Sequence, residues 1–369
     1  MQVPFLDLKR RQAELGPGFK DAIDKIIESC AFINGPEVKL FEAELSSYIG
    51  APVISCASGT DALLLAMMDI DLTPHDEVIV PSFTFIATAE VPVFLGAKIR
   101  FADIDPLTFN VDVSSVEKLI NHNTKVVVAV DLFGHSADYK ALRELCDKHD
   151  LVLVQDAAQS LGGRYNNLPL GSLANYGCLS FFPAKNLGCL GDGGAVVLRD
   201  VDTAEQIRIF RQHGGGKKYQ HTHIGVNSRL DTLQAAVLLE QLPYLDEWIQ
   251  RRRQHAHHYN EAFNSQQFTD KLIIPVEQQG TYHSYNQYVV RVLDGCRDDL
   301  KIFLFDHGIQ SMIYYPKALH QQPVFQSISQ EACSESKKAC SEVLALPISP
   351  WLTAEEQDFV IQKVKYFFK

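Results

Sequence analysis

Apolar runs alternate with helical patterns along the first two thirds of this chain. Runs without polar alternation, which are typical of strands buried on both faces, lie at 53–56, 77–80, 125–130 and 151–154. Segments with helical patterns follow them at 61–68, from about 86, and at 137–149. Such an alternation predicts an α/β fold with a mostly parallel central sheet flanked by helices. Ligands of these sheets bind beyond the carboxyl ends of the strands.

The two ends of the chain have a different pattern. Residues 1–50 predict a short arm and two helices, at 17–30 and 37–48, separated by Asn34-Gly35-Pro36. Beyond residue 242, a long helix containing Trp248 leads to an apolar strand, Tyr288–Val292, and to a helix near 298–307. We therefore expect a large domain over residues 1–242, including the arm, and a smaller α+β domain over residues 243–369.

Composition and charge narrow the range of functions. The chain has 369 residues and a formal net charge of −11, which argues against a general nucleic-acid partner. Its eight cysteines include no Cys-x-x-Cys pair, and its histidines lack metal-ligand spacing, so no metal site is expected. Neither a signal peptide nor a membrane span is expected, which favours a reduced, cytoplasmic protein without a membrane partner.

The most informative chemistry is an acid and a lysine that follow apolar strands. Asp156 follows the run at 151–154 after one residue, Gln155, and Gln159 lies one turn further on. Lys185 lies between Phe181-Phe182-Pro183 and a glycine-rich turn, which is an unusual place for a solvated lysine. Pyridoxal phosphate chemistry needs a lysine that carries the cofactor and an acid beside the pyridine nitrogen. Taken alone, Asp156 could equally cap a turn.

Donors for a phosphate group are also present. Ser58-Gly59-Thr60 precedes a helix, so its N–H groups could bind an anion, although the same residues make an ordinary helix cap. Ser180 could add a hydroxyl group. Phe85 could stack on a pyridine ring or lie in the core. The segment Asn227-Ser228-Arg229-Leu230-Asp231 could cap a helix or bind a phosphate or carboxylate.

These residues lie in motifs that resemble one known family. The chain resembles the sugar aminotransferases of the DegT/DnrJ/EryC1/StrS group, which have the aspartate-aminotransferase-like fold (fold type I). The resemblance runs from Phe5-Leu6-Asp7-Leu8 to Leu346-Pro347. Its landmarks are Asn34-Gly35-Pro36-Glu37-Val38, Ser58 to Leu63, Asp156-Ala157-Ala158-Gln159, Ser180 to Lys185, Gly191-Asp192-Gly193-Gly194, Gly225 to Asp231 and Gln234-Ala235-Ala236.

The resemblance implies a role for each matching residue. Lys185 would be the Schiff-base lysine and Asp156 the partner of the pyridine nitrogen, and these two are the catalytic residues. The other implied cofactor-binding residues are Gln159 at the ring oxygen, Phe85 on the ring, and Gly59, Thr60, Ser180 and Asn227 at the phosphate. Asn227 would come from a second subunit, which implies a homodimer with shared active sites.

The resemblance also implies the reaction. An amino group would move from an amino acid, with L-glutamate the expected donor, to a keto group of a nucleotide-linked sugar, in polysaccharide biosynthesis. A 3-keto sugar is the favoured acceptor, for example a UDP-linked N-acetylated uronic acid, and a 4-keto-6-deoxy sugar is the close competitor. Some relatives are dehydratases with histidine in place of the lysine, and Lys185 argues against that branch. A non-catalytic regulator is the remaining alternative.

The sugar itself is less clearly indicated than the reaction. Arg229 would lie near the substrate, and Tyr314 and Tyr315 would face it. Many relatives have His-Tyr-Pro where this chain has Tyr314-Tyr315-Pro316. The loss of an imidazole at a substrate-facing position bears on the identity of the sugar rather than on transamination.

Overall fold

The computed structural model describes residues 1–217, 219–264, 268, 270–328 and 332–369. Its α-helices are α1 (Leu8–Ser29), α2 (Pro36–Ile49), α3 (Gly59–Asp69), α4 (Ala87–Phe94), α5 (Val113–Leu119), α6 (Tyr139–His149), α7 (Ala204–Phe210), α8 (Thr232–Gln241), α9 (Leu245–Phe263), α10 (Arg297–Asp306), α11 (Ser334–Glu342) and α12 (Ala354–Phe367). Its strands are β1 (Val53–Cys56), β2 (Glu77–Pro81), β3 (Lys98–Ala102), β4 (Thr124–Val130), β5 (Val152–Asp156), β6 (Arg164–Tyr165), β7 (Leu168–Pro169), β8 (Tyr176–Ser180), β9 (Gly194–Leu198), β10 (Gly215–Lys217), β11 (Gln220–His221), β12 (Leu272–Ile273), β13 (Thr281–Tyr282), β14 (Tyr288–Val292) and β15 (Val343–Leu346).

A seven-stranded sheet forms the centre of the molecule, in the order β1-β9-β8-β5-β4-β2-β3. The pairs β2–β3, β2–β4, β4–β5 and β5–β8 are parallel. Strand β9 runs antiparallel to both of its neighbours, β1 and β8. The predicted mostly parallel sheet is therefore confirmed, with β9 as its reversed strand.

Alternate residues of the central strands enter cores on opposite faces of the sheet. Cys178 and Val196 pack in the core that includes residues of α3 and α4. Their neighbours Leu179 and Val197 pack in the core that includes residues of α2 and α8. Because both faces are covered, the central strands read as apolar runs, which is why the sequence pattern predicted β1, β2, β4 and β5.

Helix α9 contributes to two cores. Its first residues, Leu245 and Ile249, pack with α2 and α8. Its later residues, Tyr259 and Phe263, pack with β14, β15 and α12 in the C-terminal core. The proposed boundary between residues 242 and 243 lies just before this helix, and it stays a prediction. In the C-terminal part, β14 pairs antiparallel with β12 and with β15.

The first helix begins earlier than the sequence pattern indicates. It starts at Leu8 instead of residue 17, because the Asp7 side chain accepts hydrogen bonds from the Lys9 and Arg10 N–H groups at 3.0 and 3.1 Å. Gly16 interrupts the helical geometry with a φ of 66°, so the helix continues through Pro17 after a kink.

Three general features concern the described residues. None of their helices is long and apolar enough to cross a bilayer. They contain no group of three or more histidine, cysteine or acidic side chains placed to hold a metal ion. All eight cysteines are free thiols.

We expect Gly177→Ala to destabilise the protein, because a Cβ at this β8 position would lie 1.8 Å from the Gly171 carbonyl oxygen. The backbone must shift to relieve that overlap, and we expect the free energy of unfolding to fall by about 3 kcal/mol. Thermal denaturation measures it. Gly18→Ala is the control, because Gly18 is exposed in α1 and its nearest neighbouring atom would be 3.5 Å away. Equal melting temperatures for the two variants would contradict the prediction.

Candidate active site

Asp156 ends β5 at the carboxyl edge of the central sheet. Its carboxylate accepts hydrogen bonds from Thr88 Oγ1 at 2.8 Å and from the Ala158 N–H at 3.2 Å. Only 6% of the residue is exposed. Burial raises the pKa of Asp156 above its ordinary value, and the hydrogen bonds from Thr88 and Ala158 and the charge of Lys185 offset only part of that rise. The buried Asp156 carboxylate thus has lone pairs left to accept a further hydrogen bond.

Lys185 lies in the turn that follows β8. Its N–H donates to the Phe182 carbonyl oxygen at 2.8 Å, which fixes the backbone beside the sheet edge. Burial lowers the pKa of the Lys185 amine to about 8, against the opposing effect of the Asp156 charge. Near neutral pH a substantial fraction of such an amine is unprotonated and nucleophilic.

Two hydrogen bonds and one close backbone approach hold the turn that carries Lys185 in place. Arg11 Nη1 donates to the Pro183 carbonyl oxygen at 3.1 Å, and Asn186 Nδ2 donates to the Leu161 carbonyl oxygen at 2.9 Å. Gly188 approaches Pro183 so closely that a Cβ would lie 2.6 Å from the same Pro183 oxygen. Position 188 therefore requires glycine for the tight turn that follows Lys185, which agrees with the tight turn predicted from the glycine-rich sequence.

The start of α3 and the end of β8 meet at close range. A Cβ on Gly59 would lie 2.6 Å from the Ser180 Cβ, and a Cβ on Gly194 would lie 2.2 Å from the Ser58 carbonyl oxygen. Ser58 Oγ accepts the Asp61 N–H at 3.0 Å, while the N–H groups of the first helical residues have no acceptor within the helix. Gly59, the half-buried Thr60 and Ser180 thus form a group of donors suited to a phosphate.

Hydrogen bonds join the segment that carries Asn227 and Arg229 to the start of α3. The Ser228 hydroxyl donates to Asp61 Oδ2 at 2.7 Å and accepts the Ala57 N–H at 3.2 Å. On either side of buried Ser228, Asn227 is exposed and Arg229 is half-buried. Both side chains are therefore available near the α3 terminus.

Gln159 links this edge of the sheet to the C-terminal part of the chain. Its Oε1 accepts the Phe133 N–H at 2.7 Å, and its Nε2 donates to the Tyr315 hydroxyl at 3.2 Å. The Tyr315 ring centroid lies 6.4 Å from that of Phe85, which is 54% exposed and so presents an open ring face. Tyr314 is half-buried, and its ring lies 5.9 Å from that of Tyr315.

The structure thus brings several of the predicted residues together. Asp156 lies near Lys185, Gln159 contacts Tyr315, and Gly59 contacts Ser180. Sequence reasoning missed Thr88 and Phe133, which support Asp156 and Gln159. Each is a common residue type far along the chain from its partner, and no local motif marks it.

The sequence model of the DegT/DnrJ/EryC1/StrS aminotransferase family matches residues 14–365. The chain belongs to this family. The family's enzyme class and its cofactor, pyridoxal phosphate, agree with the predictions from sequence, which are confirmed.

Three curated relatives are similar over nearly their whole length. A pleiotropic regulatory protein of Geobacillus stearothermophilus is 41% identical over 100% of this chain and 99% of its own. A UDP-N-acetyl-3-dehydro-α-D-glucosamine 3-aminotransferase of Acidithiobacillus ferrooxidans is 38% identical over 96% and 95%. A UDP-2-acetamido-2-deoxy-3-oxo-D-glucuronate aminotransferase of Pseudomonas aeruginosa is 37% identical over 95% and 96%.

Solved structures agree with this assignment. A DegT/DnrJ/EryC1/StrS aminotransferase from Brucella abortus superposes with a TM-score of 0.95 at 38% identity, covering 100% of both chains. NtdA of Bacillus subtilis, solved with the cofactor PMP bound, has a TM-score of 0.93 at 30% identity, covering 100% of this chain and 85% of its own. The predicted fold is therefore confirmed.

The residues at the sheet edge fit pyridoxal phosphate. The buried Asp156 carboxylate can accept a further hydrogen bond from a protonated pyridine nitrogen, and the Lys185 amine can attack an aldehyde carbon. The donors around Gly59, where an added Cβ would overlap the Ser180 side chain, suit the phosphate. When bound, the cofactor supplies an aldehyde that takes up an amino group and a ring that withdraws electrons.

We expect Thr88→Val to weaken cofactor binding about tenfold, since a hydrogen bond to a buried charge contributes about 1.5–3 kcal/mol. Loss of this donor disfavours the ionised carboxylate, so the pKa of Asp156 rises further. The carboxylate charge is lost as pH falls, and the variant should therefore lose affinity at a higher pH than the natural protein. Titration of cofactor-free protein with pyridoxal phosphate at several pH values measures this effect.

Thr88→Ser is the matched control, because it keeps the hydroxyl group. It should bind the cofactor nearly as well as the natural protein over the same pH range. If the valine variant kept the natural affinity and pH profile, the Thr88 hydroxyl would have no role in holding Asp156.

Proposed function

We propose that this protein transfers an amino group from L-glutamate to the 3-keto group of a nucleotide-linked sugar, with a UDP-linked N-acetylated uronic acid as the favoured acceptor. The observation that carries the proposal is the pairing of buried Asp156 with half-buried Lys185, whose pKa is lowered to about 8. Two of the relatives named above are named aminotransferases of UDP-linked 3-keto sugars, and a 31% identical protein of Bacillus subtilis is named a 3-oxo-glucose-6-phosphate:glutamate aminotransferase.

In this proposal the two catalytic residues have separate tasks. Lys185 holds the cofactor covalently, is displaced by the amino-acid donor, and its Nζ then moves the α-proton of the donor. Asp156 keeps the ring nitrogen protonated, so that the ring can withdraw electrons from the reacting carbon. Because burial lowers the pKa of Lys185, its free amine can accept a proton near neutral pH.

The remaining residues bind and orient. Gln159 donates to the ring oxygen, Phe85 stacks on the ring, and Gly59, Thr60, Ser180 and Asn227 bind the phosphate. Arg229, Tyr314 and Tyr315 face the sugar, and the Arg229 guanidinium suits the carboxylate of a uronic acid. A product of this kind would serve polysaccharide biosynthesis.

Other functions have weaker support. The relative with 41% identity is named a regulatory protein, but the half-buried Lys185 beside buried Asp156 and Gln159 favours an enzyme here. A lysine at position 185 also argues against the dehydratases. A 4-keto-6-deoxy sugar stays the competing acceptor, although the relatives with sugar-specific names include several 3-amino-sugar transaminases.

The test follows the absorbance of the cofactor-loaded protein. L-Glutamate should convert the visible band to a near-ultraviolet band, with one equivalent of 2-oxoglutarate formed. A UDP-linked N-acetylated 3-keto uronic acid, produced in the assay by oxidation of the 3-hydroxyl group of its precursor, should then restore the visible band. A dTDP-4-keto-6-deoxy sugar should not restore it. Lys185→Ala should fold but give neither change. A lack of 2-oxoglutarate would sink transamination, and restoration by the 4-keto sugar alone would overturn the acceptor.

The same proposal includes a homodimer in which Asn227 completes the partner's phosphate site. Asn227 is exposed, and it lies close to Ile224, which is 89% exposed, just after the hairpin of β10 and β11. Exposed apolar residues mark an interaction surface where they form a contiguous patch, and Phe94 and Val324 line one mostly apolar cavity. Phe94 at the end of α4 is likewise 77% exposed.

We expect two inactive variants, Lys185→Ala and Asn227→Asp, to restore activity when their subunits are exchanged. The aspartate places a negative charge beside the phosphate and removes cofactor binding. In a mixed dimer, one site would then have Lys185 from one chain and Asn227 from the other, and activity assays at limiting cofactor would detect it. If Asn227 served its own chain, no intact site would form, and the mixture would stay inactive.

A cytoplasmic location completes the proposal. The eight free cysteines are compatible with a reducing compartment.

A further inference from the structure

The Gln159 side chain is fixed in one orientation by contacts at both ends. The Phe133 N–H can only donate, so the atom 2.7 Å from it must be the amide oxygen, Oε1. The NH₂ end of the amide then faces the Tyr315 hydroxyl, at 3.2 Å from Nε2 to the phenol oxygen. Gln159 is only 9% exposed, so few other partners can compete. One of its two amide N–H groups is therefore committed to Tyr315.

Tyr315 is itself held firmly by surrounding rings and backbone. Its ring packs edge-on against Phe83, with 6.0 Å between centroids and an interplanar angle of 73°. The segment that carries it is joined to β15, because the Met312 and Ala345 N–H groups donate to each other's carbonyl oxygens at 3.2 and 2.8 Å. The hydroxyl thus occupies a defined position, and burial raises the pKa of Tyr315, which keeps the hydroxyl protonated.

We propose that Tyr315 is a positioning residue that acts on the cofactor through Gln159. Its hydroxyl takes one N–H of the Gln159 amide, and this contact directs the other N–H toward the phenolic oxygen of the cofactor ring. The inference rests on the proposed role of Gln159 and adds a second role for Tyr315 besides facing the sugar. The contact joins an edge of the central sheet to the C-terminal segment, so both parts of the chain set the electronic state of the cofactor.

The consequence is a shift in a proton equilibrium. A donor at the phenolic oxygen stabilises negative charge there, and this favours loss of the proton from the nitrogen that links Lys185 to the ring. Without the Tyr315 hydroxyl, the Gln159 amide is held at its oxygen end alone, so its N–H donates less well to the phenolic oxygen of the cofactor. The pKa of the linking nitrogen should therefore rise when the Tyr315 hydroxyl is removed.

The test is a pH titration of the visible absorbance band in cofactor-loaded protein. Tyr315→Phe keeps the ring and its packing, and it should raise the midpoint by roughly 0.5–1 pH unit, as expected for the loss of one hydrogen bond. Gln159→Ala should raise the midpoint by at least as much. In the double variant the two effects should not add, because Tyr315 acts through Gln159. We also expect kcat with L-glutamate to fall more than KM changes.

Tyr165→Phe is the control, since its hydroxyl donates to Asp138 at 2.9 Å, away from the proposed cofactor site. Its midpoint should match that of the natural protein. An unchanged midpoint in Tyr315→Phe, or a full additional shift on the Gln159→Ala background, would overturn the inference. Absence of a visible band from the natural protein after loading would instead contradict the proposed function, so the two failures are distinguishable.

Discussion

The site depends on a buried acid and a half-buried amine that are both partly withdrawn from water at the edge of a mostly parallel sheet. Removal from water favours the neutral form of each, raising the pKa of Asp156 and lowering that of Lys185 to about 8. Their mutual attraction and the Thr88 hydroxyl reduce this cost only in part. Pyridoxal phosphate offers each group a reactive partner, because its ring nitrogen can donate to the acid and its aldehyde can react with the amine. The desolvation of the two groups therefore favours binding of the cofactor.

The phosphate end of the site depends on a second buried pair of charges. Arg211 Nη1 donates to Glu42 Oε1 at 2.6 Å, and the same carboxylate oxygen accepts the Ser55 N–H at 3.0 Å. The Arg211 carbonyl oxygen accepts the Ser228 N–H at 2.9 Å, and Ser228 in turn contacts the start of α3. A buried ion pair is weak evidence for stability. Its value here is geometric, since it holds the segment with Asn227 and Arg229 at the helix terminus.

Much of this arrangement could be predicted because the relevant residues end continuous apolar strands. Asp156 and Ser180 do so, and the start of α3 follows β1 after a short turn. The reversed direction of β9 could not be predicted, because a strand buried on both faces has the same apolar pattern in either direction. The contacts of Thr88 with Asp156 and of Gln159 with Tyr315 join residues 68 and 156 positions apart. Only the folded chain brings such pairs together, so local sequence carries no signal for them.

The residues proposed to bind the cofactor and those proposed to bind the substrate lie in different kinds of structure, so the sequence indicates the two sets to different degrees. The groups proposed to hold the cofactor lie mostly at buried strand ends and at a helix terminus, where packing restricts the residue types that fit. Arg229 and Tyr314 lie in connecting segments and are half-buried, so packing restricts them less than it restricts the strand ends, although Tyr314 packs against the edge of one core. Tyr315 belongs to both groups, because its ring packs against Phe83 and its hydroxyl contacts Gln159. A change at position 314 can therefore alter the sugar that is accepted, while Tyr315 is constrained by the chemistry of the cofactor.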